Sequence, residues 1–198
     1  MAPIRRHVLA AKQIGALVIV ALGAALAGVK LGRHMVHPLS YESQREKFVL
    51  VQAAVEGPVD TLVLGDSITE SNDLDGLCGT TFAAGIGGAK IADIRRVAPT
   101  LIHLTHPKRI VLAIGTNDAW GESKSFRSDY DELLSSLPMK PSILVGIHNG
   151  DNAFIAAQAR KIGAAYVPPI PANMTWDSYH PTPDGARLWR SNVARACH

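Results

Sequence analysis

The chain has 198 residues, of which 47% are hydrophobic; this is enough for one domain with a substantial core and too few for a second full domain. Its formal net charge of +3 arises in residues 1–34, which hold five basic residues and no acidic residue, whereas the rest of the chain holds the other 15 basic residues and all 17 acidic residues. Because the domain itself is slightly acidic, its charge gives no support for nucleic-acid binding, and we expect no nucleic-acid partner.

Residues 1–34 are typical of an export element. The segment Ile14–Val29 carries no charge and follows a basic segment. A membrane-spanning helix needs about 20 apolar residues and tolerates about 17, so this segment lies between a signal-peptide core and a short anchor. Residues 25–27 (ALA) offer a cleavage site, Lys30 favours a retained anchor, and a buried helix is a third alternative. We expect an N-terminal hydrophobic helix with its basic end in the cytoplasm, and residues 35–198 exported to the periplasm or another extracytoplasmic space.

Beyond the leader, helical and extended patterns alternate about five times. The predicted strands are 61–64, a short segment from 81, 108–115, 142–148 and 164–169, and the predicted helices are 41–56, 91–101, 126–137, 152–162 and 182–196. This alternation predicts an α/β protein with three layers, in which helices cover both faces of a five-stranded parallel sheet. Such folds place their sites at the carboxyl ends of the strands, so we expect Ser67, residues 85–88, Asn117 and residues 148–149 to line one rim.

The first candidate site follows the first strand. An apolar segment ends in Gly65-Asp66-Ser67, and the residues after it are able to begin a helix. A serine at this position exposes its hydroxyl and has its backbone N–H near the positive end of the helix. The same tripeptide alone is also ordinary N-cap chemistry, so its role depends on the other motifs.

Three further motifs follow at residues 83–88 (AAGIGG), 115–118 (GTND) and 177–181 (DSYHP). Together with residues 65–69 (GDSIT) they resemble blocks of the SGNH, or GDSL-type, hydrolase family, in the family's order and at similar spacing. The resemblance covers the chain after the leader and implies a flavodoxin-like fold and a serine hydrolase. The chain departs from the family at Ala83, where many members have an asparagine able to brace the turn at residues 85–88 (GIGG), called the glycine turn below. It also departs in its short loop after residue 148.

The resemblance implies a role for each motif. Ser67 is the nucleophile, His180 is the base that accepts its proton, and Asp177 orients the imidazole ring. The backbone N–H groups of Ser67 and Gly88 and the side-chain amide of Asn117 form the oxyanion hole.

Three more residues near the rim are expected to contact substrate. Asp66 adjoins the nucleophile. Trp120 follows the third motif and walls the acyl or sugar pocket, unless it packs in the core. His148 is a substrate contact or a second base, unless it is a solvated loop residue.

These motifs favour an exported esterase that hydrolyses a short-chain, O-acetyl-type ester through an acyl-Ser67 intermediate. Two alternatives stay open: an O-acyltransferase or O-deacetylase of an envelope or exported polysaccharide, and a non-catalytic, membrane-tethered polysaccharide-binding protein. We expect no cofactor and no metal, because Lys90 stands where a dinucleotide loop needs glycine and no residues have the spacing of metal ligands. The expected partners are a small-molecule or polysaccharide ester and, if the leader is uncleaved, the membrane.

The chain has two cysteines, Cys78 and Cys197. Outside the cytosol they are able to form a disulfide that closes a long loop and stabilises the domain. The sequence does not give the distance between their Cα atoms, so free thiols stay the alternative. Their spacing excludes a CxxC motif.

Overall fold

A five-stranded parallel sheet forms the centre of the protein. The computed structural model describes residues 40–72, 74–119, 125–148 and 150–198. In chain order its strands are β1 (Thr61–Gly65), β2 (Thr81–Gly85), β3 (Arg109–Ala113), β4 (Ile143–Val145) and β5 (Ala165–Val167). They pair in the order β2-β1-β3-β4-β5, and every pairing is parallel. This is the strand order of a flavodoxin-like sheet.

Helices cover both faces of the sheet. They are α1 (Tyr41–Glu56), α2 (Ser67–Glu70), α3 (Ile91–Thr105), α4 (Thr116–Ala119), α5 (Phe126–Ser136), α6 (Asn152–Ile162) and α7 (Pro183–Ala196). Helices α1, α3, α5 and α6 pack on one face, and α7 packs on the other with residues 74–78. The chain moves toward one edge of the sheet from β1 to β2, and toward the other edge from β2 through β3 and β4 to β5. Crossovers between parallel strands are right-handed, so a reversal of direction puts the connection on the other face. The β1–β2 connection therefore lies on the face opposite to α3, α5 and α6.

The strands are buried on both faces, which explains their continuous apolar sequences. Side chains alternate between the two faces of a strand. Leu62 and Leu64 therefore pack with the helices of the first face, whereas Val63 packs in the cluster that contains Trp189 of α7. Strand β3 pairs in register with β1 and alternates in the same way, so the two cores extend across neighbouring strands.

In-register pairing brings three strand ends to the same edge of the sheet. Gly65 is aligned with Gly85 on one side and with Ala113 on the other. The segments that follow these strands therefore begin at one edge, and they contain Ser67, the glycine turn and Asn117. This arrangement assembles a site from parts of the chain that are up to about 50 residues apart.

The predicted fold class is confirmed: the protein is α/β, with a five-stranded parallel sheet between two helical layers. Helices α1 and α6 begin and end where the sequence predicts them. Strands β4 and β5 are shorter than their apolar segments. Ile147 leaves the ladder of β4 and donates its N–H to the Asn152 side chain at 2.9 Å, and the prolines that follow Val167 end β5.

A disulfide joins Cys78 to Cys197, whose Cα atoms lie 5.6 Å apart. The structure therefore contains the bond that the sequence left open. Cys78 precedes β2, and Cys197 is the C-cap of α7.

The leader and its expected hydrophobic helix lie outside the described residues. Within the part of the chain that the structure describes, none of the helices combines the length and the apolar character needed to cross a membrane. Export and anchoring therefore stay predictions from the sequence.

Candidate active site

Ser67 is the first residue of α2 and follows β1 after a single residue. That residue, Asp66, is the N-cap of α2, and its Oδ1 accepts the N–H of Ile68 at 3.0 Å. The turn directs the Ser67 hydroxyl toward His180, whose Nε2 lies 2.9 Å from Oγ. The first N–H groups of a helix have no partner within it, so the Ser67 N–H is oriented as a donor at the positive end of α2.

Asp177 and His180 lie on the connection between β5 and α7. Thr175 and Pro181 form an antiparallel bridge across this turn, and the N–H of Trp176 donates to the carbonyl of His180 at 2.8 Å. Inside the turn, Asp177 Oδ1 accepts the backbone N–H of His180 at 2.7 Å and that of the preceding residue at 3.0 Å. These bonds hold the second carboxylate oxygen, Oδ2, 2.7 Å from His180 Nδ1.

The hydrogen bonds to Asp177 keep its carboxylate ionised. The bond from the His180 ring contributes most, and with the backbone N–H groups it lowers the pKa of Asp177 to about 2. An ionised Asp177 holds the proton of His180 on Nδ1, which leaves Nε2 to accept a hydrogen bond from the Ser67 hydroxyl. The structure thus brings the three predicted catalytic residues into one continuous chain of hydrogen bonds.

The predicted oxyanion donors differ in their placement. Asn117 lines the cavity beside Ser67, and its Nδ2 donates to the carbonyl of Ala89 at 2.8 Å, which leaves one amide hydrogen for a ligand. Gly88 has a φ of +79°, which glycine adopts without strain. It is exposed, it lies beside Glu42 of α1, and it is not one of the described residues that line the cavity.

A small cavity opens beside the Ser67 hydroxyl. Its volume is about 120 Å³, and its lining residues are Ser67, Ile68, Thr116, Asn117, Asp177, Tyr179 and His180. Ile68, Thr116 and Tyr179 were not predicted as site residues. Each is a direct sequence neighbour of a predicted one, and that adjacency is the signal by which they could have been found.

Asp66 lies beneath the site rather than in its lining. The residue is 1% exposed, and its Oδ2 has no hydrogen-bond partner among the described residues. Burial raises the pKa of Asp66 to about 6, although the hydrogen bond from Ile68 opposes this shift. The sequence predicts that Asp66 contacts substrate, whereas the structure places it as a buried helix cap, because the end of β1 directs its side chain inward.

His148 approaches the site through Tyr179. Their rings pack edge to face with centroids 6.4 Å apart, and it is Tyr179 that lines the cavity. Trp120 and Asn149, both expected near the rim, lie outside the described residues. Across the ranges that the structure describes, no group of three or more His, Cys, Asp or Glu side chains is arranged to hold a metal ion.

The chain matches no protein-family model and no curated protein sequence. Its structure is similar to a protein of Bacteroides fragilis assigned as an acylhydrolase, with 17% identity over 81% of this chain and 98% of that chain and a TM-score of 0.60. It is also similar to a GDSL-like lipase of Bacteroides thetaiotaomicron (17% identity, 77% and 96% covered, TM-score 0.55). A third similar structure is a catalytic mutant of an acetylxylan esterase of Geobacillus stearothermophilus (16% identity, 71% and 95% covered, TM-score 0.56). The chain therefore has the SGNH hydrolase fold, and the resemblance seen in its motifs is confirmed at the level of fold.

Proposed function

We propose that the protein is a serine esterase that removes a short acyl group, of the O-acetyl type, through an acyl-Ser67 intermediate. The observation that carries the proposal is the pair of distances that join Ser67 to His180 (2.9 Å) and His180 to Asp177 (2.7 Å). Motifs alone are also compatible with turns and helix caps. A hydroxyl, an imidazole and an ionised carboxylate in line beside a cavity are the arrangement that activates a serine.

The proposed reaction proceeds in two halves. Ser67 Oγ attacks the ester carbonyl carbon while its proton passes to His180 Nε2, and the carbonyl oxygen becomes negatively charged. The Ser67 N–H and the free amide hydrogen of Asn117 are the donors proposed to stabilise that oxygen, with the N–H of Gly88 as a third. The C–O bond to the alcohol then breaks, and the alcohol leaves with the proton from His180. Water repeats the sequence on the acyl-enzyme and releases the carboxylic acid.

The size of the cavity supports a small acyl group. An acetyl group has three non-hydrogen atoms, and a cavity of about 120 Å³ is large enough to hold it. Under this proposal, a longer acyl chain would have to extend beyond the cavity. We therefore expect turnover to fall as the acyl chain lengthens from acetate to octanoate.

The alcohol side of the ester is proposed to be a sugar hydroxyl of an envelope or exported polysaccharide. One similar structure belongs to an acetylxylan esterase, which supports this choice. The same acyl-enzyme would serve an O-deacetylase, with water as acceptor, or an O-acyltransferase, with a second sugar hydroxyl as acceptor. Product analysis with an acetylated polysaccharide separates the two, because only the deacetylase releases stoichiometric acetate.

An extracytoplasmic location is part of the proposal. The uncharged segment 14–29 supports export, and the Cys78–Cys197 disulfide supports an oxidising compartment. We expect the full chain, expressed in a bacterial host, to appear in the membrane fraction with its domain accessible to protease from outside the cytoplasm. Recovery in the cytosol with free thiols would contradict this part of the proposal.

The deciding experiment measures hydrolysis of p-nitrophenyl esters by the full chain and by Ser67→Ala. We expect Ser67→Ala to lower kcat by at least about 10³-fold, because no other group supplies the nucleophile. Ser71→Ala is the matched control: Ser71 is exposed at the other end of α2, and the variant should retain full activity. Equal rates for Ser67→Ala and the wild type on every ester and acetylated polysaccharide would favour a non-catalytic polysaccharide-binding protein.

A further inference from the structure

Glu70, the last residue of α2, joins three parts of the protein through one carboxylate. Its Oε2 accepts the backbone N–H of Gly87 at 2.8 Å. Its Oε1 accepts the Tyr41 hydroxyl at 2.8 Å and lies 2.9 Å from Nε of Arg45, and both of these residues belong to α1. Arg45 Nε also donates to the carbonyl of Gly85 at 3.1 Å. The Arg45–Glu70 ion pair therefore contacts the glycine turn at two points.

This ion pair links the element that carries the nucleophile to the turn that carries a predicted oxyanion donor. Ser67 begins α2 and Glu70 ends it, while Gly88 follows Gly87 in the turn. A Cβ at Gly85 would lie 2.1 Å from the backbone nitrogen of Glu70, so the turn packs against the α2 backbone with no side chain between them. Adjacent peptide planes share a Cα atom, and a displacement of the Gly87 N–H therefore also displaces the N–H of Gly88 relative to Ser67.

The low exposure of the Arg45–Glu70 ion pair strengthens its contact with the glycine turn. The side chains of Arg45 and Glu70 are only 20% and 21% exposed. A buried backbone N–H needs an acceptor, and a carboxylate is a stronger one than a neutral oxygen. Ala83 has no polar side chain with which to brace the turn from within β2. Glu70 provides this contact from the neighbouring element.

We propose that Glu70 is a positioning residue of the active site: its carboxylate holds the glycine turn in register with Ser67, and Tyr41 and Arg45 of α1 hold the carboxylate. The proposal rests on the esterase function proposed above. Oxyanion donors act on charge that develops in the transition state, so their misplacement lowers kcat while KM stays nearly constant. A displacement of about 1 Å costs up to about 100-fold in rate.

The test compares Glu70→Ala, Glu70→Gln and Glu46→Ala in the full chain. Glu46 is a matched control because its side chain is 22% exposed and its carboxylate pairs with Arg96 at 2.7 Å. With p-nitrophenyl acetate we expect Glu70→Ala to lower kcat about 10- to 100-fold with KM within about twofold. Glu70→Gln keeps an oxygen acceptor for Gly87 and should recover most of the loss. Glu46→Ala should retain kcat within about twofold, even if its stability falls.

A second measurement does not depend on turnover. Amide hydrogen exchange at Gly87 should accelerate at least about tenfold in Glu70→Ala and stay unchanged in Glu46→Ala, because only the first variant removes the acceptor. Unchanged exchange, an unchanged kcat in Glu70→Ala, or an equal loss of kcat in Glu46→Ala would each overturn the positioning role. Absence of Ser67-dependent turnover in the wild type would instead overturn the esterase function and the positioning role of Glu70 with it. The two failures are therefore distinguishable.

Discussion

Asp177 stays ionised well below neutral pH because the His180 ring and two backbone N–H groups lower its pKa to about 2. Its own titration therefore lies outside the range in which esterases are usually measured. Activity lost on the acid side of neutrality is then not due to Asp177, and the proposed base must be a neutral imidazole because an imidazolium cannot accept the Ser67 proton. We expect kcat/KM for p-nitrophenyl acetate to fall as the pH is lowered from about 8 to about 5. A flat profile over this range would remove His180 from the role of base.

Ionisation of the buried Asp66 carboxyl costs stability at neutral pH. Its pKa in the folded protein, about 6, lies above the ordinary value of 3.8 because burial disfavours the carboxylate. The folded state therefore binds the proton more tightly than the unfolded state, and stability falls as the pH rises from about 4 to about 6. The shift of about two units corresponds to about 3 kcal/mol once both states are ionised.

We expect Asp66→Asn to raise the free energy of unfolding at pH 7 by about 1–3 kcal/mol, because asparagine keeps an oxygen acceptor for the Ile68 N–H without the charge. Urea denaturation at pH 7 and pH 4 measures the effect, and the gain should shrink at pH 4. Asp60→Asn is a control of opposite sign, since Lys108 lowers the pKa of Asp60 to about 2 and its ionised form stabilises the fold at pH 7. An equal gain at both pH values for Asp66→Asn would show that ionisation is not its cause.

The turn that carries Asp177 and His180 depends on an unusual backbone conformation. Ser178 has a φ of +70°, in the left-handed region that residues other than glycine rarely adopt. The two N–H groups that Asp177 Oδ1 accepts follow this residue in the chain and hold it there. The local strain thus serves to aim the carboxylate at the His180 ring.

We expect Ser178→Gly to keep kcat/KM within about threefold, because glycine adopts this φ freely. Ser178→Val should cost about 1–3 kcal/mol of stability and lower kcat at least about tenfold, since a β-branched residue resists the left-handed conformation and shifts the Asp177–His180 pair. Denaturation curves and ester hydrolysis measure the two effects separately. A valine variant with wild-type activity would show that the turn does not need this conformation.

Elements held by local patterns, and the Ser67–His180 contact that the motif resemblance implies, could be predicted from the sequence, whereas other contacts between distant segments could not. The apolar residues of α3 recur at helical spacing, and Ile91, Ile94 and Leu101 are all fully buried. The Asp177–His180 pair lies three residues apart on one turn, so its motif already contains its geometry. The Glu70–Tyr41 contact spans 29 residues and depends on how α1 packs beside the glycine turn. No periodicity within either segment encodes that packing.

The same limit explains the placement of Asp66 and Gly88. The sequence predicts that both residues lie beside the site. Whether each residue faces the site or is directed away from it depends on the element that packs against it. For Asp66 this is the buried end of β1. For Gly88 it is α1, whose Glu42 lies against the turn.

At the scale of the whole molecule, the candidate active site and the disulfide lie at opposite ends of the sheet. Ser67 and Asn117 follow the carboxyl ends of β1 and β3. The disulfide lies near the amino ends of the same strands: the Thr61 hydroxyl donates to the carbonyl of Cys78 at 2.7 Å, and Arg109 donates to the carbonyl of Cys197. The bond therefore fixes α7 and the β1–β2 connection without touching the cavity.

This separation predicts that removal of the disulfide lowers stability and leaves catalysis unchanged. The bond spans 119 residues, and closure of a loop of about this length contributes about 3–5 kcal/mol, mainly by restricting the unfolded chain. We expect the double variant Cys78→Ala, Cys197→Ala to lose about that much in urea denaturation while kcat stays within about twofold at a temperature where it is folded. Wild-type protein treated with reductant is the control, because it loses the bond without losing the cysteine side chains. A folded double variant with kcat reduced tenfold or more would show that the amino end of the sheet does position the Ser67 site, since the disulfide would then influence the site through the strands that join them.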